Sequence, residues 1–544
     1  MIHVRTVPKH RVQPPAEPPA PPKEPAPSKL VVRPRRRWPR RVLIVSNALV
    51  FVFIAAVATA YGYVRYEIGN VKTASGKHLT KVGETVGGQK VKGTVPIFNG
   101  LKSENILLIG NQTRQGLTAQ QQVQYGTSIG SGSLADIMMI LHLDPASGTA
   151  SILSIPRDLF SPMPANSDVG PYQKMDAALN NGADGPDNLV NAIQEDLGIP
   201  INHFIELNFN GFINSVNALG GINVYFPDPV FDAESQLSIG TRGCHHLNGT
   251  QALALVRARH LQYEPPGMNE PEYDWPYDPE SDLARIVRTH TFMKIVAQTA
   301  KSKGLTDPVS AANFLSAILA QITVDPGLKS QMLNLVIRYR NLDAAGVPES
   351  TLPTTSVNDY YYGGYDIGDV LFPVEPNDLN AVRAWDSQAL PTATAPTSVS
   401  VVSLTGSDQA AQDAGGSLTT DGLKVTSETA GSVPADTTET FVVYHPGQVA
   451  HALYVMKYLS GAVMMQASST QPAGTVQVQL GSSVNVTTTH PHKATSITTP
   501  SSSTTKTPTT TAKHSVVTTT VPTPGGLTPS AANDQQEPWD PRAC

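Results

Sequence analysis

The residues of this chain best suited to chemistry are its arginines and aspartates, and they gather where apolar runs stop. Asp136 precedes the apolar run 137–143, and Arg157 and Asp158 follow the run 150–155. Pro156 lies directly before that pair and cannot donate to a sheet ladder, so Arg157 and Asp158 belong at a sheet margin. Arg257 and Arg259 stand two apart at the end of a helical pattern. Arg285 and Arg288 are three apart and share a helix face, with Asp282 one further turn back. Lys174 and Arg114 add two cations. Singly, each is an ordinary surface charge or helix ion pair. Together, in a chain only 15% charged, they have a use. Guanidinium forks take phosphate oxygens in pairs. Carboxylates hold a divalent metal that bridges a pyrophosphate, and phosphoryl transfer needs mainly positioning and charge neutralisation. The sequence carries no HExxH helix, no GxxxxGKS/T loop and no Ser/His/Asp elbow.

Such residues need a scaffold. The run 105–110, closed by Gly110, has the pattern of a buried strand, as do 137–143 and 150–155, joined by an Asp-Pro-Ala-Ser-Gly turn at 144–148. Leu189, Val190, Ile193 and Leu197 recur at helical spacing within 186–197, ahead of Gly198. A strand at 203–208 and helices at 211–219, 249–259, 282–302 and within 308–341 follow. This alternation argues for an α/β domain over 101–345. A linker over 346–398, rich in Pro, Thr and Ser near its end, precedes a small C-terminal α/β domain at 399–486. The strands expected there are 399–404, 422–427, 439–444 and 475–480, with a helix at 446–459. The Thr/Ser/Pro-rich tail 487–544 reads as disordered. An insertion from Gln262 to Ser281 carries Tyr263, Tyr273, Trp275 and Tyr277, suited to stacking on sugars or to an ordinary surface loop.

Charge is divided along the chain. Residues 1–41 hold 11 Lys/Arg against 2 Asp/Glu, and the remainder holds 28 against 42. Residues 42–64 are almost wholly apolar and directly follow an arginine cluster. That length spans a bilayer core, and the positive flank keeps the head 1–41, Pro/Arg-rich and disordered, in the cytoplasm. The expectation is a single-pass signal anchor in the cell membrane, a polar stalk at 65–100 and an extracytoplasmic catalytic domain. A cleaved signal peptide fits less well, since the apolar run exceeds a usual h-region. The acidic body repels nucleic acid, so no nucleic-acid partner is expected. Whether Cys244 and Cys544, the two cysteines, pair is left open by the sequence.

The ordered motifs then resemble one family. Asn105-Ile106-Leu107-Leu108-Ile109-Gly110 with Arg114, Ala135-Asp136-Ile137-Met138-Met139, Ser154-Ile155-Pro156-Arg157-Asp158 and Lys174-Met175-Asp176-Ala177-Ala178 look like the opening of a LytR-CpsA-Psr domain. Ala218-Leu219-Gly220-Gly221-Ile222, Arg257-Ala258-Arg259-His260 and Asp282-Leu283-Ala284-Arg285-Ile286-Val287-Arg288 continue it in family order. Residues 399–486 resemble the small LytR C-terminal domain. The resemblance implies a central mixed sheet flanked by helices, and transfer of a glycopolymer from a polyprenyl-pyrophosphate carrier to peptidoglycan through a phosphodiester link. It implies Arg157, Arg257, Arg259 and Arg285 as the pyrophosphate grip, assisted by Arg114 and Lys174. Asp158 orients Arg157, Asp282 and Arg288 brace the site, and Asp136 holds Mg²⁺. The prenyl chain takes an apolar groove in the same domain. Gln112 stands where the family often has a second metal carboxylate, and Thr289 where a Gln commonly follows the last arginine. An actinobacterial-type wall, with arabinogalactan as donor polymer, is the reading the head and tail suggest. A non-catalytic lipid-pyrophosphate binder, an envelope regulator and a transcriptional attenuator are the alternatives.

Overall fold

The computed structural model describes residues 58–59, 61–80, 85–86, 89–90, 103–114, 117–118, 133–145, 147–164, 169–180, 184–268, 270–279, 282–304, 316–339, 341–343, 346–387, 389–431, 437–486, 495–496 and 537–544. The expected head 1–41 and most of the anchor 42–64 and tail 487–544 lie outside these residues. The chain divides into two compact units, Met1–Tyr61 and Gly62–Cys544; the fold below is that of the second. Among the described residues, no helix is long and apolar enough to cross a membrane.

The second unit opens with β1 (Lys72–Thr73), β2 (Glu104–Asn111), β3 (Ala135–Asp144), β4 (Thr149–Ser154), β5 (Phe160–Pro162) and β6 (Tyr172–Lys174). Next come α1 (Gly185–Leu197), β7 (His203–Asn208), α2 (Phe209–Ala218), β8 (Ile222–Phe226), β9 (Gly243–Leu247), α3 (Gly249–Arg257) and α4 (Asp282–Gly304). They are followed by β10 (Ile322–Val324), α5 (Pro326–Tyr339), β11 (Glu349–Thr351), the hairpin β12 (Thr354–Tyr362) and β13 (Tyr365–Pro373), and α6 (Asn377–Trp385). A seven-stranded mixed sheet runs β1-β10-β7-β2-β3-β4-β11. β2 is antiparallel to β3 and parallel to β7.

Both faces of this sheet are covered, which explains why its strands are near-continuous apolar runs. Leu107, Ile109, Met138 and Ile140 pack on Leu189 and Ile193 of α1. On the reverse face, Ile106 and Met139 join Leu328, Met332 and Leu335 of α5. A further core unites α2, α3, α4 and β8 through Phe209, Ile213, Leu253, Val256 and Phe292. The helix ends follow their local chemistry. Gly198 closes α1 at φ 70°, in the left-handed region that glycine enters without a Cβ penalty. The Asn208 side chain accepts from the Gly211 N–H at 2.8 Å and starts α2. Asn248 and Gln251 cap α3 reciprocally. A Cβ on Gly249 would lie 2.2 Å from the Ile213 carbonyl, so the close approach of α2 and α3 requires glycine there.

Three segments differ from the sequence-based expectation. The supposed linker 346–398 is largely regular structure. β11 extends the central sheet beside β4, Val382 of α6 is core, and Val370 and Phe372 of β13 are buried. The supposed stalk contributes β1 to the sheet, and His78 is fixed to Asp187 at 2.8 Å. The last eight residues of the tail are docked: Arg542–Ala543 pairs with β8, Trp539 stacks on Tyr263 at 4.0 Å, and Cys544 is disulfide-bonded to Cys244.

The C-terminal portion contains β14 (Ser398–Ser403), α7 (Asp408–Thr420), β15 (Val425–Ala430), β16 (Thr440–Tyr444), α8 (Val449–Met456), β17 (Val463–Ala467) and β18 (Thr475–Leu480). Its sheet runs β15-β14-β18-β16-β17. It meets the first domain through an aromatic layer in which Phe160, Tyr360 and Phe372 pack with Phe441 and Met464.

Candidate active site

Pro156 ends the run that follows β4, and the chain turns so that Arg157 and Asp158 stand beside the start of β3. Arg157 is ion-paired with Asp136, and its Nε lies 3.4 Å from Asp158. Asp158 is the hub of a cationic ring: Lys174 approaches it at 3.2 Å and Arg259 at 2.8 Å. Arg285, 3% exposed, donates to the backbone carbonyl of Asp136 at 2.6 Å. The Arg257 guanidinium sits over the Phe209 ring, 4.7 Å from its centroid. Arg157, Lys174 and Arg259 thus gather on Asp136 and Asp158, with Arg257 and Arg285 beside Asp136.

An apolar groove of about 180 Å³ leads away from this cluster, lined by Leu108, Ile137, Met139 and Ile205 of the sheet and by Phe212, Leu253, Val256 and Phe292 of α2, α3 and α4. Asp136, Arg257 and Arg285 line the same groove. A Cβ on Gly110, another lining residue, would meet the Ile137 Cβ at 2.8 Å, so glycine lets the strands close beneath the groove. Such a shape accepts a ligand with an apolar body and an anionic head.

Behind the ring lie polar groups that the sequence reading did not single out. Asp176, 4% exposed, follows β6 in the short turn Met175–Leu179, and its N–H donates to the Arg157 carbonyl at 3.1 Å. Burial raises its carboxyl to about 7; Arg157 opposes that, while Asp158 and Asp136 add to it. The signal available was a single acidic residue inside an apolar turn. Ser154 is 2.6 Å from His290 Nε2, both buried, and Glu349 lies 3.8 Å from His290 Nδ1. Burial, with Lys294 nearby, lowers the imidazole to about 4. These groups tie α4 to β4 and β11 behind Arg285.

The structure brings together Asp136, Arg157, Asp158, Lys174, Arg257, Arg259 and Arg285. Gln112 and Arg114 stand in the loop leaving β2, where the Gln112 N–H donates to the Leu134 carbonyl at 3.1 Å, next to Asp136's strand. Arg288 is set apart from this group. Its guanidinium is fully buried and held by Asp278 at 2.6 Å, Asp540 at 3.3 Å and the Ala258 carbonyl at 2.8 Å. It fixes the residue between Arg257 and Arg259. Asp282 opens α4, and its side chain lies outside the described residues. In the insertion, Trp275 is buried, whereas Tyr273 and Tyr277 are exposed.

Mg²⁺ ordinarily takes one or two carboxylates and draws its remaining ligands from phosphate and water. Among the described residues, no group of three or more His, Cys, Asp or Glu side chains could hold a metal ion. Asp136, with the Gln112 amide in the neighbouring loop, fits an ion held chiefly by a bound phosphate rather than a closed protein cage.

The LytR_cpsA_psr family profile matches residues 66–370, more than half of the chain, and the chain belongs to that family. It is 31% identical over 269 residues to a probable cell wall biosynthesis protein, LcpB, of Corynebacterium glutamicum, covering 49% of this chain and 58% of that protein. It is 27% identical over 240 residues to the polyisoprenyl-teichoic acid–peptidoglycan teichoic acid transferase TagV of Bacillus subtilis, covering 43% and 56%. The match thus spans somewhat over half of these relatives. Among solved structures, a LytR-Csp2A-Psr enzyme from Actinomyces oris matches 58% of this chain and 97% of its own at 24% identity, with a TM-score of 0.41.

Proposed function

We propose that this protein is a membrane-anchored, extracytoplasmic phosphotransferase that moves a cell-wall glycopolymer from a polyprenyl-pyrophosphate carrier to peptidoglycan. The observation that carries this reading is the apolar groove ending at Asp136, Arg257 and Arg285, beside Arg157. The groove holds the prenyl chain, and the arginines receive the pyrophosphate. Relatives named as cell wall biosynthesis proteins and teichoic acid–peptidoglycan transferases support the same class of reaction. The span 42–64 anchors the chain beside its lipid-linked donor, and residues 101–345 with the strands that complete their sheet form the catalytic domain. Arabinogalactan is the donor polymer this reading favours.

In the reaction, an acceptor hydroxyl oxygen bonds to the phosphorus that bears the glycan. The bond from that phosphorus to the polyprenyl-phosphate oxygen breaks, the hydroxyl proton is released, and polyprenyl phosphate leaves. Arg157, Arg257, Arg259 and Arg285 neutralise charge on the non-bridging oxygens. Asp158 holds Arg157, Lys174 and Arg259 in register. Asp136 would hold Mg²⁺, which, when bound, adds charge neutralisation at the pyrophosphate.

The test is incubation of the full chain in detergent with a polyprenyl-pyrophosphate glycan, Mg²⁺ and peptidoglycan oligomers. A covalent glycan–peptidoglycan product is expected. Polyprenyl phosphate release without that product would mean hydrolysis, and no release at all would refute the transferase reading.

A further inference from the structure

A second cavity, of about 450 Å³, opens between α1 and the C-terminal domain. Its volume falls within the ~300–1,000 Å³ of small-molecule sites. Asn188, Asn191 and Glu195 line it from one stripe of α1, opposite the apolar stripe that enters the core. His78 forms another wall, its Nδ1 engaged by Asp187. The C-terminal domain supplies Tyr444 and Pro446, and the Tyr444 hydroxyl donates to the Glu195 carbonyl at 2.8 Å, which joins the two walls.

The lining selects among ligand classes. Among the described residues it contains no Lys or Arg, so a phosphate or polyanion finds no counter-charge in them. Its amides and carboxyl are poor company for an acyl chain. β16, from which Tyr444 comes, is paired on both sides by β17 and β18, so no open strand edge is offered to a peptide. Asn188 has no side-chain partner among the described residues, and each amide both donates and accepts. Burial raises the Glu195 carboxyl to about 7, so near neutral pH it too is partly a donor. A polyhydroxylated, uncharged ring matches these groups.

We infer that the cleft between α1 and the C-terminal domain binds an uncharged saccharide, with both domains supplying contacts. Pro164, another lining residue, lies six positions past Asp158 on the segment that continues β5. If the transfer reaction above holds, the cleft retains the acceptor glycan strand; saccharide binding itself does not depend on that reaction.

The test is ligand-observed NMR with the full chain in detergent and an N-acetylglucosamine tetramer. Wild type should bind. The double variant Asn188→Leu/Asn191→Leu keeps good helix formers on α1 and should bind at least tenfold more weakly. Glu195→Gln, a neutral isostere, should still bind. No binding by wild type, or binding that the double variant retains in full, overturns the proposal. Transfer activity measured on the same samples stays a separate readout, since wild type that binds the tetramer without transferring would refute only the transferase reading.

Discussion

Asp176→Asn isolates the electrostatics behind the arginine ring. The carboxyl has a folded value of about 7 against a reference of 3.8. The folded state therefore keeps a proton that the unfolded chain has lost, and this contribution to stability is full below about pH 4 and disappears as pH rises through 7. At about 1.4 kcal/mol per unit, the interval amounts to about 4 kcal/mol of lost stability in wild type by pH 8, to order of magnitude. Asparagine has nearly the same shape and does not titrate in this range. Urea unfolding of both proteins at pH 4, 5, 6, 7 and 8, followed by tryptophan fluorescence, gives the variant-minus-wild-type difference directly. The variant should gain steadily on wild type between pH 4 and 7 and level off above. A difference that stays constant across the series would show that burial does not hold the proton on Asp176, and the reasoning would fall.

Arg157→Ala should weaken binding of a polyprenyl pyrophosphate by roughly 100-fold, from charge-assisted bonds worth ~1.5–3 kcal/mol each, with the melting curve little changed; Arg157→Lys should recover part of the loss. Arg288→Met leaves Asp278 and Asp540 buried without their guanidinium, and chemical denaturation should report a loss of about 3–5 kcal/mol. His290, held at about 4 by burial, must take up a proton on unfolding in acid. Its contribution is present above pH 6.5 and is lost towards pH 4, about 3 kcal/mol in all. His290→Gln should flatten that part of the stability profile, and an unchanged acid slope would count against it.

How much was legible in the sequence depended on whether the signal was local. His203–Asn208 and Thr475–Leu480 were read with their observed bounds, because turn residues or Gly flank a short apolar pattern. α7 escaped because Ala410, Ala411 and Ala414 carry most of its buried face, and alanine marks an apolar stripe only weakly. The hairpin β12–β13 escaped because tyrosines, aspartates and glycines mix along it, and its buried residues face a domain that sequence spacing does not reveal. Within the site, Arg157, Lys174, Arg259 and Asp136 meet as their motifs suggested. One partner of Arg288, Asp540, is 252 positions away. No local pattern encodes that pairing.

The bond between Cys244 and Cys544 gives the Thr/Ser/Pro-rich stretch 487–536 an unusual topology. One end of the stretch leaves the C-terminal domain just after Asn485–Val486, and the other returns to β8 through Arg542–Ala543. The stretch is therefore an arc of a covalently closed ring. A protease that cuts the ring once in that arc linearises it without dividing the molecule. The docked terminal residues, with Trp539 against Tyr263 and Asp540 against Arg288, stay attached for as long as the sulfur bridge survives. Loss of the brace behind Arg257 and Arg259 then takes two chemically different injuries, a cleavage and a reduction.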